Sequence, residues 1–253
     1  MSKIITIVNQ KGGVGKTTTA INLPASLANL GQDVLIIDMD PQANTTSGLG
    51  IDKHSLENHI YQTLIDEVKL EDILKPTEMD WLDIAPSNED LTGAEIELVN
   101  IENRESRLKE ALSRFKKVYK YIFIDCPPSL GLLTLNSLVA ADSIIIPMQC
   151  EYYALEGVGQ LVKTIELVKE SLNPKLEIEG VLFTMFDARI NLSHQVAEEI
   201  KNHFKDKVYE TRIPRAVRLA EAPSYGKPII LYDKYSKGSE AYLELAKEFL
   251  KRQ

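Results

Sequence analysis

The chain has 253 residues, 44% of them hydrophobic and 26% charged, and its formal net charge is −8. These values are typical of a globular protein with a full-sized core, whereas the acidity means that DNA binding would need a local basic patch. Two cysteines outside any C-x-x-C pair provide no disulfide framework, and no run of 18 apolar residues is present to span a membrane. We therefore expect a protein of the reducing cytoplasm.

Short apolar runs alternate along the chain with segments of helical periodicity. The runs that predict buried strands are Ile4–Val8, Val34–Ile37, Leu82–Ala85, Tyr121–Ile124, Ser143–Pro147 and Ile178–Phe183. The helical segments are Thr17–Leu30, Glu105–Lys117, the stripe formed by Leu155, Val158, Val162 and Ile165, and Ser239–Leu250. This order predicts an α/β fold in one domain over residues 1–253: a doubly wound, mostly parallel sheet with helices on both faces. The less regular residues 45–80 predict an insertion packed on the sheet edge.

A glycine-rich loop lies between the first predicted strand and the first predicted helix. It comprises Lys11, Gly12, Gly13, Val14, Gly15, Lys16, Thr17 and Thr18. Glycines allow successive backbone N–H groups to turn towards phosphate oxygens, and the helix N-terminus adds a favourable dipole. Lys16 is placed to neutralise the β- and γ-phosphates, and the Thr17 hydroxyl to bind Mg²⁺. The loop therefore predicts binding of Mg-ATP.

The loop departs at one position from the general phosphate-loop pattern G-x-x-x-x-G-K-[ST]. Where that pattern has its first glycine the chain has Gln10, and a second lysine, Lys11, follows. From within one loop, Lys11 cannot easily reach the phosphates that Lys16 contacts. It could contact the nucleotide of a second subunit, and the alternative is a solvated surface lysine.

Two predicted strands end in carboxylates. Asp38 and Asp40 follow one strand, and Asp125 follows another. Ligands of open α/β sheets bind at the carboxyl ends of the strands, so these side chains are expected beside the phosphates. Asp38 or Asp40 could orient the attacking water, or could only cap the strand end. The pattern before Asp125 is typical of an acid that reaches Mg²⁺ through water, and residues 129–141 after it could form a switch segment that senses the γ-phosphate.

Taken together, these motifs resemble those of the ParA/Soj family of partitioning ATPases. The resemblance extends over essentially the whole chain and is closest to the short chromosomal Soj type. Its matching segments are the loop from Lys11 to Thr18, Asp38–Asn44, Asp125–Ser129, Gln149–Gly157, Asp187–Arg189, Ile213–Arg215 and Glu221–Ser224. In this family the loop deviates from the general pattern, which accounts for Gln10.

The resemblance implies particular roles for several residues. Lys11 would be the signature lysine that reaches across a nucleotide-sandwich homodimer. Lys16 and Thr17 would bind phosphate and Mg²⁺. Asp40 would be the hydrolytic residue, close to the metal, and Asp125 the metal-associated acid. Adenine would contact later loops near Met185 and Pro214.

The family also implies ATP-dependent binding to non-specific double-stranded DNA, stimulation of slow hydrolysis by a ParB-like partner, and a place on the nucleoid. Between positions 189 and 237 the chain has ten Lys or Arg and six Asp or Glu, a balance of +4 in an acidic protein. Backbone phosphates require only positive charge at suitable places. The candidate DNA contacts are Arg189, Arg215, Arg218, Lys234 and Lys237. A solvated surface of mixed charge is the alternative.

Three other functions share part of this pattern. A MinD-like membrane-associated positioning ATPase has the same loop but needs an amphipathic tail, whereas the last predicted helix is expected to pack on the sheet, so no stable membrane association is expected. An iron–sulfur carrier needs cluster cysteines, which Cys126 and Cys150 supply poorly. A regulator that binds ATP without turnover differs from a slow switch only in hydrolysis, which the sequence does not measure.

Overall fold

The computed structural model describes residues 2–151 and 154–253, without the side chains of Glu95, Leu155 and Glu156. Its strands are β1 (Lys3–Ile7), β2 (Val34–Asp38), β3 (Lys75–Pro76), β4 (Leu82–Ala85), β5 (Tyr121–Asp125), β6 (Ser143–Gln149) and β7 (Glu177–Thr184). Its α-helices are α1 (Lys16–Asn29), α2 (Asn44–Gly48), α3 (Ile60–Leu64), α4 (Leu70–Ile73), α5 (Leu91–Glu97), α6 (Arg107–Arg114), α7 (Leu132–Ala140), α8 (Ala154–Ser171), α9 (Asn191–Phe204), α10 (Val217–Glu221), α11 (Ile229–Tyr232) and α12 (Lys237–Lys251). Short 3-10 helices lie at Lys53–Ser55, Leu98–Asn100, Lys205–Lys207 and Ala222–Tyr225.

The strands form one sheet in the order β3-β4-β2-β5-β1-β6-β7, and every pairing is parallel except that of β3 with β4. Side chains alternate between its two faces. In β5, Ile122 and Ile124 enter a core that also contains residues of α7 and α8, whereas Phe123 enters a second core with residues of α1 and α12. Helices therefore cover both faces, which confirms the predicted doubly wound α/β class.

The register of the central strands positions the site. Asp38 at the end of β2 pairs with Asp125 at the end of β5, and Ile7 at the end of β1 also pairs with Asp125. The glycine-rich loop, which follows β1, therefore leaves the sheet at the same edge as the carboxylates. This common edge is the expected ligand position of an open α/β sheet.

The predicted strand positions are confirmed to within two residues at each end. The predicted helix Glu105–Lys117 is wrong in length, because α6 spans only Arg107–Arg114. Phe115 fits the apolar spacing of the helix in the sequence. In the structure its backbone is extended and its ring stacks on Tyr119, so it lies outside the helix. The region predicted to be an edge insertion contains α2, α3, α4 and β3, of which β3 forms the sheet edge, whereas α2 lies at the end of the central strand β2.

Candidate nucleotide-binding site

The glycine-rich loop has the backbone conformation expected of a phosphate cradle. Gly13 and Gly15 have φ angles of +73° and +84°, a left-handed conformation in which a side chain would be strained. Gly15 precedes α1 and has no side chain to accept hydrogen bonds from the first turn. The N–H groups at the start of α1 are therefore free to bind an anion.

Lys16 is the buried cation of the loop. The residue is only 7% exposed, and its Nζ donates a hydrogen bond to the carbonyl oxygen of Lys11 over 3.1 Å. Burial lowers the pKa of Lys16, whereas the nearby acidic groups of Asp125, Cys126 and Asp40 raise it. The ammonium group thus lies between the loop and the acidic strand ends, where phosphates would have to be neutralised.

Two side chains from neighbouring strands hold the carbonyl groups of the loop. Gln149, at the end of β6, donates from Nε2 to the Gly13 oxygen over 2.9 Å. Thr184, at the end of β7, donates from Oγ1 to the Val14 oxygen over 2.7 Å. Because the carbonyl oxygens are bound by the sheet, the loop keeps the conformation that leaves its amides available to a ligand.

Asp38 and Asp125 are fully buried side by side. Asp125 Oδ2 accepts a hydrogen bond from Thr45, and Asp38 Oδ2 accepts two from Thr46, through the backbone N–H and Oγ1. Burial raises the pKa of Asp125 to about 8, with the charge of Asp38 adding to the rise and the neighbouring hydroxyl groups of Thr45 and Thr17 opposing it. Burial also raises the pKa of Asp38 to about 6. Two carboxylates in this position need a cation or a proton between them.

Asp40 differs from Asp38 in its surroundings. The carboxylate of Asp38 accepts hydrogen bonds from Thr46 in α2. This arrangement matches the alternative considered for the sequence, in which the acid only caps the end of the strand. Asp40 is 7% exposed, lies beyond the end of β2, and uses Oδ1 to accept from the backbone N–H of Gln42 over 2.9 Å. Of the two carboxylates, Asp40 is therefore the one placed to meet a ligand.

A cavity of about 350 Å³ opens beside the loop. Met185, which has an unusual positive φ of +49°, lies in its wall, and Phe186 donates its N–H to the Ile213 oxygen over 2.9 Å. The residues that line the cavity are Gly15, Thr18, Thr184, Met185, Ile213, Pro214, Arg215, Ala216, Val217, Leu219, Ala220 and Tyr242. The structure thus brings Met185 and Pro214 together with the loop, in a mainly apolar cavity whose size suits a planar base.

Comparisons with known proteins agree with this geometry. Residues 2–178 match the family described as AAA domain. The sporulation initiation inhibitor protein Soj of Bacillus subtilis is 61% identical over 248 residues, 98% of each chain. The chromosome partitioning protein ParA of Myxococcus xanthus is 58% identical over 252 residues, 100% of this chain and 89% of that protein. The chain belongs to the ParA/Soj family of chromosome-partitioning ATPases. This confirms the resemblance and the assignment as an ATPase.

A solved structure connects the family fold to a ligand. Cobyrinic acid a,c-diamide synthase from Mycobacterium smegmatis, with a bound ATP analogue and magnesium, has a TM-score of 0.87 and 37% identity, with 99% of this chain and 95% of that chain covered. The residues here fit such a ligand, because Asp125 Oδ1 is buried without a hydrogen-bond partner and Thr17 lies beside that carboxylate. No cluster of three His, Cys, Asp or Glu ligands occurs in residues 2–151 and 154–253, and Mg²⁺ in nucleotide sites typically takes few protein ligands beside phosphate and water.

The predicted DNA contacts fall into two neighbouring groups. Arg189 makes a two-point ion pair with Asp187, and Arg215, which also lines the cavity, lies close enough to help lower the pKa of Asp187. Arg218 pairs with Glu221 and Asp233 on the stretch that leads to Lys234 and Lys237. Within the described residues, Arg215, Lys234 and Lys237 have no carboxylate within 4.0 Å, so their charges are available to a ligand.

Sequence reasoning missed several residues that support the site. Thr45, Thr46, Gln149, Glu151 and Thr184 all bind the loop or the carboxylates through side chains. Gln149, Glu151 and Thr184 are polar residues at or just after a strand end, and that position is the signal that could have identified them, whereas Thr45 and Thr46 lie in the short helix α2. Polar residues are common at strand ends, however, so the signal selects candidates without ranking them.

Proposed function

We propose that this chain is an ATP-dependent switch in DNA partitioning. It binds Mg-ATP, forms a nucleotide-sandwich homodimer, binds non-specific double-stranded DNA as a dimer, and hydrolyses ATP slowly until a ParB-like partner stimulates it. It acts on the nucleoid in the cytoplasm without stable membrane association. In support of that last point, Tyr242, Leu245, Ala246 and Phe249 of α12 are buried in the core, and no described helix has the length and apolarity to cross a bilayer.

One observation carries this proposal: the two lysines of the loop point to different places. Lys16 is buried and bends back to the Lys11 carbonyl oxygen, over the position expected for phosphates. The Lys11 side chain is 45% exposed and extends outwards to Glu151. The ammonium group of Lys11 points away from the phosphate loop of its own chain. It could therefore bind the phosphates of a nucleotide held by a second subunit.

Hydrolysis is proposed to depend on Asp40 beside the metal held by Thr17 and Asp125. Bound Mg²⁺ would neutralise phosphate charge. Asp40 is the carboxylate that α2 leaves free, so it can orient a water molecule towards the γ-phosphate and accept its proton. Lys11 and Lys16 would stabilise the charge that develops on the transferred group.

DNA binding is proposed to follow dimerisation because each subunit has only a small basic surface. Two of the five candidate cations are already paired with carboxylates, so one subunit presents a weak patch. Joining two patches makes the second contact intramolecular and raises the overall affinity. Release of ATP hydrolysis products would separate the subunits and thus release DNA.

Sedimentation of the wild-type chain with ATP, ADP or no nucleotide, each with and without a random-sequence duplex, tests the proposal. We expect a dimer only with ATP and co-sedimentation with DNA only in that state. Lys11→Ala is the matched control, because it should bind ATP but remain a monomer that does not bind DNA. Equal DNA binding in all nucleotide states, or by the Lys11→Ala monomer, would contradict the proposal.

A further inference from the structure

The end of β6 and the residues after it hold the phosphate loop at three points. Asn9 donates from Nδ2 to the Pro147 oxygen over 2.8 Å, and its Oδ1 accepts from the Lys11 N–H over 3.0 Å. Gln149 binds the Gly13 oxygen, and Glu151 accepts a hydrogen bond from Nζ of Lys11. Both the backbone and the side chain of Lys11 are therefore positioned by the stretch 147–151.

Local backbone structure directs Glu151 towards the loop. The Glu151 N–H donates to the Gln149 oxygen over 3.0 Å, which closes a tight three-residue turn, and its carbonyl oxygen accepts from Ala154 at the start of α8 over 2.9 Å. Gln149 is itself fixed to Gly13 and paired with Thr184 in the sheet. The carboxylate of Glu151 is thus placed next to Lys11 by hydrogen bonds of its own backbone and of Gln149.

The Lys11–Glu151 pair lies at the surface. The side chains are 45% and 50% exposed, so a second molecule can reach the ammonium group without unfolding the loop. In the described part of the chain, Lys11 is the only hydrogen-bonding partner recorded for the Glu151 carboxylate. The pair therefore joins the lysine that is proposed to act across the dimer to an acid of its own chain.

We propose that Glu151 is a positioning residue for Lys11, which keeps the ammonium group within its own chain until the phosphates of a nucleotide on a second copy displace the carboxylate. The inference rests on the proposed function, in which Lys11 acts across the dimer. The triphosphate of ATP carries more negative charge than one carboxylate or the diphosphate of ADP. The free energy needed to break the Lys11–Glu151 pair is the same for every nucleotide, so Glu151 opposes dimerisation in each nucleotide state, and the more highly charged triphosphate is the ligand best able to displace the carboxylate.

The size of the effect follows from the exposure of the pair. Exposed ion pairs change an equilibrium constant by about 1.4-fold to about 5-fold. A symmetric dimer breaks two such pairs, so loss of Glu151 should tighten the dimer by about 2-fold to about 30-fold. The gain should disappear near 1 M salt, where the screening length falls to about 3 Å.

Glu151→Gln tests the proposal against Glu166→Gln, an exposed glutamate of α8 that has no recorded contact with the loop. Both variants change the net charge equally, so they alter long-range repulsion between subunits to a similar extent. Sedimentation over a protein dilution series, with a non-hydrolysable ATP analogue or with ADP, measures the dimer dissociation constant. We expect Glu151→Gln to form a tighter dimer than wild type with the analogue, and to form a dimer with ADP at the highest protein concentrations. Glu166→Gln should match wild type in both conditions. Glu151→Asp, which keeps the charge, should lie between wild type and Glu151→Gln.

Amine acylation of nucleotide-free monomers tests the pair independently of dimerisation. Mass spectrometry of the Lys11 peptide should show faster modification in Glu151→Gln than in wild type or Glu166→Gln. Unchanged Lys11 reactivity would overturn the pair itself. Increased reactivity with an equal or weaker dimer would overturn the positioning role, because Glu151 would then not oppose assembly. Increased reactivity of Lys11 together with no wild-type dimer under any condition would overturn the proposed dimer switch and, with it, the positioning role. The ion pair within the chain would still be established.

Discussion

Thr45 donates a hydrogen bond from Oγ1 to Oδ2 of Asp125 over 2.7 Å, and the other carboxylate oxygen of Asp125 has no partner. One oxygen is thus held by the N-terminal turn of α2 while the second remains available. Loss of a partner that orients a metal-binding group typically weakens metal binding by about 10-fold to about 100-fold. The hydroxyl of Thr45 would therefore support the proposed magnesium site by orienting Asp125.

Thr45→Val removes this hydroxyl with little change in side-chain volume. We expect the affinity for Mg²⁺ in the presence of ATP to fall by about 10-fold to about 100-fold, because the Asp125 carboxylate loses its orientation. Titration of Mg²⁺ against a fluorescent ATP analogue measures the change. Thr46→Val is the control, since Thr46 binds Asp38 instead, and it should lower thermal stability with little effect on Mg²⁺ affinity. Equal losses in both variants would show that only folding of α2 is being measured.

Lys16→Ala should abolish tight nucleotide binding. Hydrogen bonds to charged groups contribute about 1.5–3 kcal/mol, so the loss of this buried cation predicts ATP binding weaker by at least about 10-fold. Equilibrium binding at low protein concentration, where the chain is monomeric, measures the effect. Lys11→Ala should bind ATP almost as wild type under these conditions, because its side chain lies outside the cradle. Normal ATP affinity in Lys16→Ala would mean that the loop is not the phosphate site.

Asp40→Ala should bind ATP but lose hydrolysis by about 100-fold to about 10,000-fold, the usual contribution of a general base. A persistent ATP-bound dimer should accumulate, and single-turnover hydrolysis followed with sedimentation detects both effects. Asp38→Asn is the contrasting variant: it replaces one accepting oxygen with an NH2 group that faces donors, either those of Thr46 or the N–H of Asp40, and should destabilise the fold by about 1–3 kcal/mol. Unchanged turnover in Asp40→Ala would assign the chemistry to a different group.

The position of the site was predictable because parallel strands bring their carboxyl ends to one edge of the sheet. Glycine spacing predicted the loop, and the acids at 38, 40 and 125 followed apolar runs that are typical of buried strands. The strand patterns alone did not distinguish Asp38 from Asp40, and only the family resemblance assigned hydrolysis to Asp40. The difference in their surroundings depends on α2, a five-residue helix whose Thr46 binds Asp38 and not Asp40, and such short helices have little sequence signal of their own.

The hydrogen bonds that support the loop were also beyond the reach of the sequence. Thr184 binds the Val14 oxygen from 170 positions away, and Gln149 binds the Gly13 oxygen from 136 positions away. Such contacts depend on strand order and register, which become known only when the sheet is assembled. The early end of α6 also differs from the pattern, because helical periodicity continues through Phe115, whereas its backbone is extended and its ring stacks on Tyr119.

Arg189→Glu with Arg218→Glu should remove DNA binding but keep ATP-dependent dimerisation. The reversed charges would face Asp187, Glu221 and Asp233, so both basic groups become repulsive to phosphate. For each DNA phosphate that the variant no longer neutralises, the slope of log affinity against log salt should fall by about 0.9. The control reverses two exposed lysines of α8, Lys163→Glu with Lys169→Glu, with the same change in net charge. The lysine control should still bind DNA. If the arginine variant also keeps salt-dependent DNA binding, the DNA surface lies elsewhere.

Glu179 connects β7 to the two ends of the chain, and its loss should give a stability difference that depends on pH. Its carboxylate accepts hydrogen bonds from Ser143 and Gln253 and pairs with Lys3 over 2.6 Å. Burial raises the pKa of Glu179, but the contacts with Lys3, Ser143 and Gln253 outweigh burial and lower it overall.

A carboxylate whose pKa is lower in the folded than in the unfolded state stabilises the fold above the unfolded pKa, and this contribution is lost as the pH falls through the folded pKa. Glu179→Gln should therefore reduce the free energy of unfolding by about 1–3 kcal/mol at pH 7. The difference from wild type should shrink as the pH falls below the ordinary glutamate pKa of about 4.3. Urea unfolding at several pH values measures it, with Glu177→Gln, an exposed neighbour on β7, as the control. A difference that stays constant down to the lowest pH would mean that packing of the side chain, and not its charge, stabilises this end of the sheet.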